Sequence, residues 1–228
     1  MNSRQLTRGE LLKIAVIRFG LGIFALAIIF FLPAGTFGYW QAWIWLAVVC
    51  IPMLLVLGYL LKNDPGLLER RLRTREKEPQ QSLIQKLGWV WILAFLVPGF
   101  DYRFGWSHVP TALVVAADVL VLLSYIGFFL VLRENSYASR VVEVDEQQKV
   151  ITTGPYALVR HPMYTSIAVL WAFTPLALGS YWGLLPGLLI VPILVARILN
   201  EEQVLVRDLA GYAEYMGKIK FRLLPGVW

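Results

Sequence analysis

Charge is scarce in this sequence: Asp, Glu, Lys and Arg make up 16% of its 228 residues, against 58% hydrophobic residues. So little charge, with a mean hydropathy of +0.62, argues against a soluble globular domain and for a chain that lives in a bilayer. Cysteine is almost missing as well. Cys50 stands alone in an apolar run, so no intrachain disulfide holds the fold and the compartment cannot be read from thiols. Histidine occurs twice, as His108 and His161, and a lone histidine makes a poor metal site. Also absent are His-Glu-x-x-His, paired Cys-x-x-Cys, a Gly-x-Gly-x-x-Gly turn after a strand, and a glycine-rich loop ending in Lys-Ser/Thr. Metal catalysis and soluble nucleotide-binding folds are thereby disfavoured. The net charge of +6 comes without a soluble basic domain, which argues against a nucleic-acid partner.

What is present is a series of long apolar runs, at about 14–33, 39–61, 87–106, 110–132, 162–179 and 181–199. The first is long enough to span and others follow it, so it does not read as a cleavable signal. The third is interrupted by Pro98 and by Asp101-Tyr102-Arg103, and the last two form a tight hairpin around Gly179-Ser180-Tyr181-Trp182. The expected fold is all-α: a polytopic membrane bundle of about six spans, with a C-terminal helical hairpin. Basic residues check the count. Arg4, Arg8 and Lys13, then Lys62 to Lys86, then Arg133 to Arg160, then Arg197 to Arg222 all fall on one face if there are six spans, and the other face keeps only Arg103. The positive-inside rule makes that face, and both termini, cytoplasmic. The division expected is an N-terminal four-span region, 1–132, and a catalytic C-terminal region, 133–228.

Residues 1–13 read as a basic lead-in along the headgroups, and Tyr39, Trp40, Trp43 and Trp45 as an aromatic belt. Leu67 to Glu78 mixes leucines with arginines, as an amphipathic surface helix does, either as a headgroup-bound face or as a lid over a neighbouring site. Asp118 and Arg18 are the charges that fall within spans, and an acid in hydrocarbon is a functional candidate because burying it is costly.

Polar residues concentrate in two places. After Arg133-Glu134-Asn135-Ser136 leaves the membrane, Arg140 to Val144 alternates like an extended piece, and Gly154-Pro155 forces a turn. That turn brings Tyr156, Arg160, His161 and Tyr164 to the surface, with Pro162 suited to the first turn of a helix. Forty residues on, Arg197 and Glu201 are i and i+4 on one helix face, as a salt bridge or as part of a site, with Glu202 beside them. Residues 203–216 read as a continuing amphipathic helix, and 218–228 as a basic, aromatic tail on the membrane surface. Such a pocket suits a polar, aromatic-bearing cofactor entering from water and an amphiphilic substrate entering from lipid.

Gly154-Pro155-Tyr156, Val159-Arg160-His161-Pro162-Met163-Tyr164, Arg197 to Glu202, and Gly211-Tyr212 through Arg222-Leu223-Leu224-Pro225-Gly226 resemble the isoprenylcysteine carboxyl methyltransferase family, which is similar to the phospholipid N-methyltransferases. The resemblance covers about residues 133–228. It implies S-adenosylmethionine as cofactor, held by Gln148, Lys149, Val150, Ile151, Tyr156, His161, Pro162, Met163, Tyr164 and Glu201, with Arg197 assigned to the methyl acceptor. Gln148 and Lys149 depart from the residues expected there in the eukaryotic enzymes.

A methyl sulfonium needs no metal, and a carboxylate acceptor, ionised at neutral pH, needs no base; positioning by Arg197 and Glu201 then carries the reaction. An amine acceptor requires a base, for which Glu202 or His161 is the candidate. The acceptor is expected to be a lipophilic small molecule, a lipid or a lipidated substrate, and membrane lipids are partners. Two other classes stay open: an NADPH-dependent reductase of sterol-reductase type, and a non-enzymatic scaffold or transporter, whose mark would be facing charges at mid-membrane.

Overall fold

A computed structural model describes residues 6–72, 80–139, 141, 144–145 and 147–228. Its secondary structure is helical, with no strand among the described residues: α1 (Arg8–Ala34), α2 (Trp40–Asn63), α3 (Pro65–Leu72), α4 (Gln80–Phe104), α5 (Thr111–Glu134), a 3-10 turn (Gly154–Ala157), α6 (Pro162–Ala177), α7 (Leu184–Leu188), α8 (Ile190–Asp208) and α9 (Tyr212–Lys218). Among the described residues, four helical stretches are long and apolar enough to cross a membrane: α1, α2, α5 and the α7–α8 unit Leu184–Asp208. Backbone polar groups satisfied within helices are what a bilayer demands of a spanning chain.

The passes run between two ends, each with its own core. At the first, Phe30, Phe31 and Ala34 from the end of α1 pack on Tyr39, Ala42 and Trp45 from the start of α2, with Phe95 of α4, Ala117 and Val121 of α5, and Ala177 of α6. Aromatic edges hold it: Phe30 meets Trp45 at 5.4 Å and 86°, and Trp45 meets Phe95 at 5.2 Å and 65°. At the second end, Leu11 and Ala15 of α1, Leu57 and Leu60 of α2, Leu67 and Leu68 of α3 and Leu132 of α5 form another buried cluster. The cleft that gathers the polar motifs lies at this end.

Several local readings change in three dimensions. The aromatic belt divides: Trp40 and Trp43 face outward, whereas Tyr39 and Trp45 are buried, the Tyr39 hydroxyl donating to the Leu178 carbonyl at 2.6 Å and Trp45 Nε1 to Thr174 Oγ1 at 3.1 Å. A phenol or indole can enter a core when its one polar atom finds a partner. The basic lead-in is shorter than residues 1–13, because α1 begins at Arg8 under a capping box in which Thr7 and Glu10 each satisfy the other's backbone N–H. Asp101 does not break the third apolar run. Its buried carboxylate accepts from Ser107 N and Oγ, both at 2.6 Å, and from Ser180 Oγ, so one acid fastens two loops at the first end.

Arg18 does not face Asp118 either: it donates to the Leu72 carbonyl at the end of α3 and so ties α1 to the surface helix. Asp118 itself is buried, and neither carboxylate oxygen has a hydrogen-bond partner among the described residues. The surface helix is seen as α3, and the rest of the expected stretch, 73–78, lies outside the described residues, as does most of the expected extended piece 140–144. The helix expected over 203–216 is interrupted: α8 ends at Asp208, Gly211 takes a φ of +82°, and α9 starts afresh at Tyr212. Only glycine enters that backbone region at little cost, so the chain turns there and α9 folds back toward the site.

Candidate functional site

The loop after α5 is built outward from the helix end. Asn135 caps α5, its Oδ1 accepting from Tyr137 N at 2.9 Å while its Nδ2 donates to the Tyr156 hydroxyl at 2.8 Å. Thr153 donates its hydroxyl to Glu134, and Gly154, at φ +56°, passes so close that a Cβ there would come within 3.0 Å of the Glu134 carboxyl carbon. The Gly-Pro-Tyr-Ala turn is thus pinned against the last residues of α5 in a conformation suited to glycine. Asn135→Ala removes both side-chain hydrogen bonds of Asn135 and is expected to cost about 1–3 kcal/mol, read as a lowered melting temperature in detergent.

From the other side the loop is held by α3. Arg70 pairs with Asp145 at 3.3 Å and lies 5.4 Å from the centre of the Tyr137 ring, while Arg71 donates to the Ala138 carbonyl and to Met163 Sδ, both at 3.4 Å. The first half of the chain therefore supports the wall of a site whose motifs all lie in the second. Sequence reasoning left α3 as either a surface face or a lid; Leu67 and Leu68 are buried and its arginines reach the loop.

Residues 160–165 meet the C-terminal tail. Arg160 N donates to Phe221 O and His161 N to Arg222 O, each at 2.9 Å, and Thr165 Oγ1 donates to Leu223 O at 2.8 Å. Beneath this seam Glu202 is surrounded. Its Oε1 lies 3.2 Å from both Arg160 Nε and His161 Nε2, and its Oε2 accepts from Arg222 Nε at 2.9 Å. Arg222 in turn lies over the Trp228 ring at 5.1 Å.

One turn away the other acid faces a cleft. Tyr164 donates its hydroxyl to Glu201 Oε2 at 2.6 Å and accepts from Arg197 Nε at 2.8 Å, so the i, i+4 residues are linked through a phenol from α6. The cleft contains about 830 Å³ of empty space, its open mouth included. Gln148, Lys149, Val150 and Ile151 form one wall, and Tyr156, His161, Pro162, Met163 and Tyr164 another. Arg197 and Glu201 close it, with Leu205 and Leu209 further along α8. The structure thus brings together all the residues named for the methyl donor and its acceptor, while Asp118 lies elsewhere in the bundle. Glu202 does not line the cleft.

Asn135, Tyr137, Ser139, Tyr212 and Tyr215, which sequence reasoning did not assign to the site, also line it, as does Arg160, which it brought to the surface beside His161 without giving it a role. Tyr212 falls within the stretch expected to continue as one amphipathic helix, and the break at Gly211 turns it inward. Tyr215 donates to the Tyr156 carbonyl at 2.7 Å, which ties α9 to the 3-10 turn. Burial pushes the Tyr215 phenol up to about 12 and raises those of Tyr156 and Tyr212, so these groups are neutral donors at physiological pH.

The fold and the cleft together define an all-helical membrane protein with a polar, aromatic-lined pocket at one end of the bundle. Residues 112–210, which run from α5 to the end of α8, match the phospholipid methyltransferase family, a methyltransferase family that includes isoprenylcysteine carboxyl methyltransferase-like membrane enzymes. No curated protein matches the chain.

Proposed function

We propose that this chain is an integral membrane S-adenosylmethionine-dependent methyltransferase that methylates a carboxylate, or another nucleophile, on a lipophilic acceptor such as a prenylcysteine-like molecule or a lipid. The observation that carries this reading is the single cleft shared by residues 148–151, Tyr156, the His-Pro-Met-Tyr segment, Arg197 and Glu201, on the stretch that matches the family. Its chemistry fits the donor: aromatic and apolar walls for an adenosine, and a carboxylate, Glu201, for hydroxyls or an ammonium. Two buried polar atoms in the cleft, Tyr212 Oη and Arg160 Nε, have no hydrogen-bond partner among the described residues. When bound, the donor supplies an electrophilic methyl group on a sulfonium.

The chain's own residues then position. Arg197, part of the cleft lining and joined to Tyr164, is suited to align an anionic acceptor in a paired contact. Glu201 is oriented by the same phenol. Glu202, clamped by two arginines and His161 and set behind the cleft, is poorly placed to remove a proton. An amine acceptor would then rely on His161, the candidate base that lines the cleft, whereas an acceptor that arrives already ionised needs none.

Six membrane crossings, with α4 and α6 added to the four apolar stretches, would place both termini on one side. The site end holds Arg8, Lys62, Arg70, Arg133, Lys149 and Arg222, against Arg103 at the other end, and this bias supports a cytoplasmic site. Within that arrangement residues 1–132 serve as a supporting membrane region and 133–228 as the catalytic one.

The test is a calorimetric titration of detergent-purified protein with S-adenosylhomocysteine and NADPH in parallel. Saturable binding of the adenosyl compound alone is expected; binding of NADPH alone would make the pocket that of a reductase. Glu201→Gln, which removes charge but keeps shape, is expected to weaken S-adenosylhomocysteine about tenfold, the loss of one charge-assisted hydrogen bond. Unchanged affinity would remove Glu201 from the donor site.

A further inference from the structure

Two cleft residues to which sequence reasoning gave no role share an unusual condition. Arg160 and Tyr212 both line the cleft, and Tyr212 comes from α9, outside the matched segment. The side chain of Arg160 is 5% exposed and Tyr212 is 4% exposed. Arg160 Nε, although 3.2 Å from Glu202 Oε1, is not aligned to hydrogen-bond with it, and Tyr212 Oη has no partner among the described residues. Buried donors are almost always satisfied, so a pair of unsatisfied ones in one cleft points to a ligand that accepts from them.

Charge gives the sign of that ligand. Glu202 is shared by the guanidinium groups of Arg160 and Arg222 and by His161, so two permanent cations face one carboxylate and an excess of positive charge remains at that end of the cleft. Glu201 supplies the opposite sign close by. The His161 ring lies between the two acids, with Nδ1 4.0 Å from Glu201 Oε1 and Nε2 3.2 Å from Glu202 Oε1. One short stretch of cleft therefore offers an acceptor carboxylate at one edge and a guanidinium with a neutral phenol donor at the other. An α-amino acid, with its ammonium and carboxylate on the same carbon, has the complementary pattern.

We propose that Arg160 and Tyr212 form a carboxylate-binding subsite for the amino-acid end of the methyl donor, with Glu201 facing its ammonium group. The subsite rests on the methyl-transfer reading. It adds to it a recognition element that tells a complete donor from one lacking the carboxylate. A carboxylate on the methyl acceptor has the same chemistry, and the experiment separates the two sources.

S-adenosylhomocysteine and its decarboxylated analogue are titrated by calorimetry into the full-length protein, the Tyr212→Phe variant and the Arg160→Lys variant. The unmodified protein is expected to prefer the carboxylate-bearing compound by at least about tenfold, as charge-assisted hydrogen bonds to one oxyanion require. Tyr212→Phe, which removes a hydroxyl without a protein partner, should keep its melting temperature. It should bind S-adenosylhomocysteine about fivefold more weakly and the decarboxylated analogue unchanged. Arg160→Lys keeps the charge opposite Glu202 and should narrow the preference as well, since an ammonium cannot reproduce a planar two-point contact. Equal weakening of both compounds, or none, overturns the subsite. So does an Arg160→Lys protein with intact S-adenosylhomocysteine affinity and a raised KM for the methyl acceptor, which would give the guanidinium to the acceptor's anion. If the unmodified protein binds neither adenosyl compound, the methyl-transfer reading fails, and the subsite with it.

Discussion

Arg197→Ala is expected to leave S-adenosylhomocysteine affinity within about threefold and to lower methyl-transfer turnover by roughly a hundredfold or more, the scale on which misplacing one reactant by about 1 Å acts. The asymmetry follows from the geometry. Arg197 reaches Glu201 through the Tyr164 hydroxyl, at 2.8 Å and then 2.6 Å, so its loss leaves the phenol still donating to the carboxylate. What disappears is a guanidinium that lines the cleft and can hold an anion in two contacts. The check is a pair of measurements on one preparation: calorimetry with S-adenosylhomocysteine, and turnover with saturating donor. Arg197→Lys should recover part of the turnover if charge alone suffices and little of it if planar alignment is required. Equal loss of donor affinity and turnover in Arg197→Ala would mean that the arginine only orients Glu201.

Glu202→Ala should act on stability instead, by about 3–5 kcal/mol, the cost of removing one member of a buried ion cluster and leaving the rest uncompensated. Its carboxylate, 6% exposed, is the one acid shared by Arg160, Arg222 and His161. Arg222 belongs to the tail whose backbone carbonyls at 221 and 222 accept from the N–H groups of residues 160 and 161. Removing Glu202 therefore releases the tail from the segment that begins α6. The expected readouts are a large drop in melting temperature and proteolytic nicking near residues 219–228. Glu202→Gln, keeping shape and a hydrogen bond to one partner, should lose less. A Glu202→Ala protein as stable as the parent but inactive with an amine acceptor would instead make Glu202 a base.

The helical class, the membrane setting and part of the cleft lining were legible along the chain for a common reason. Apolar runs long enough to cross a bilayer leave little choice of structure, because each unpaired backbone group in hydrocarbon is costly. Against that background the polar density of 154–164 and 197–202 stands out without any three-dimensional information. The positions of individual aromatics were not legible. Tyr39 and Trp45 share the composition of an interfacial belt with Trp40 and Trp43, and what separates them is whether a hydroxyl of α6 or the carbonyl of Leu178 just after it stands opposite. Nor could spacing say that Asp101 would be buried among serines from two loops.

The two glutamates show the division most clearly. Adjacent residues on a helix point about 100° apart, so the sequence by itself determined that Glu201 and Glu202 could not do the same work. Which of them faces the cleft depends on neighbours distant in the chain: Tyr164 stands against Glu201, and Arg160, His161 and Arg222 against Glu202. The same holds for Tyr212. Its place beside the cleft, rather than on the outer face of a longer helix, is decided by the turn at Gly211 and by packing against Leu209 and Val150. Local pattern sets what each segment is; only tertiary contacts among segments far apart in sequence set which side chains meet, because a charge or phenol is buried only where another element supplies its partner.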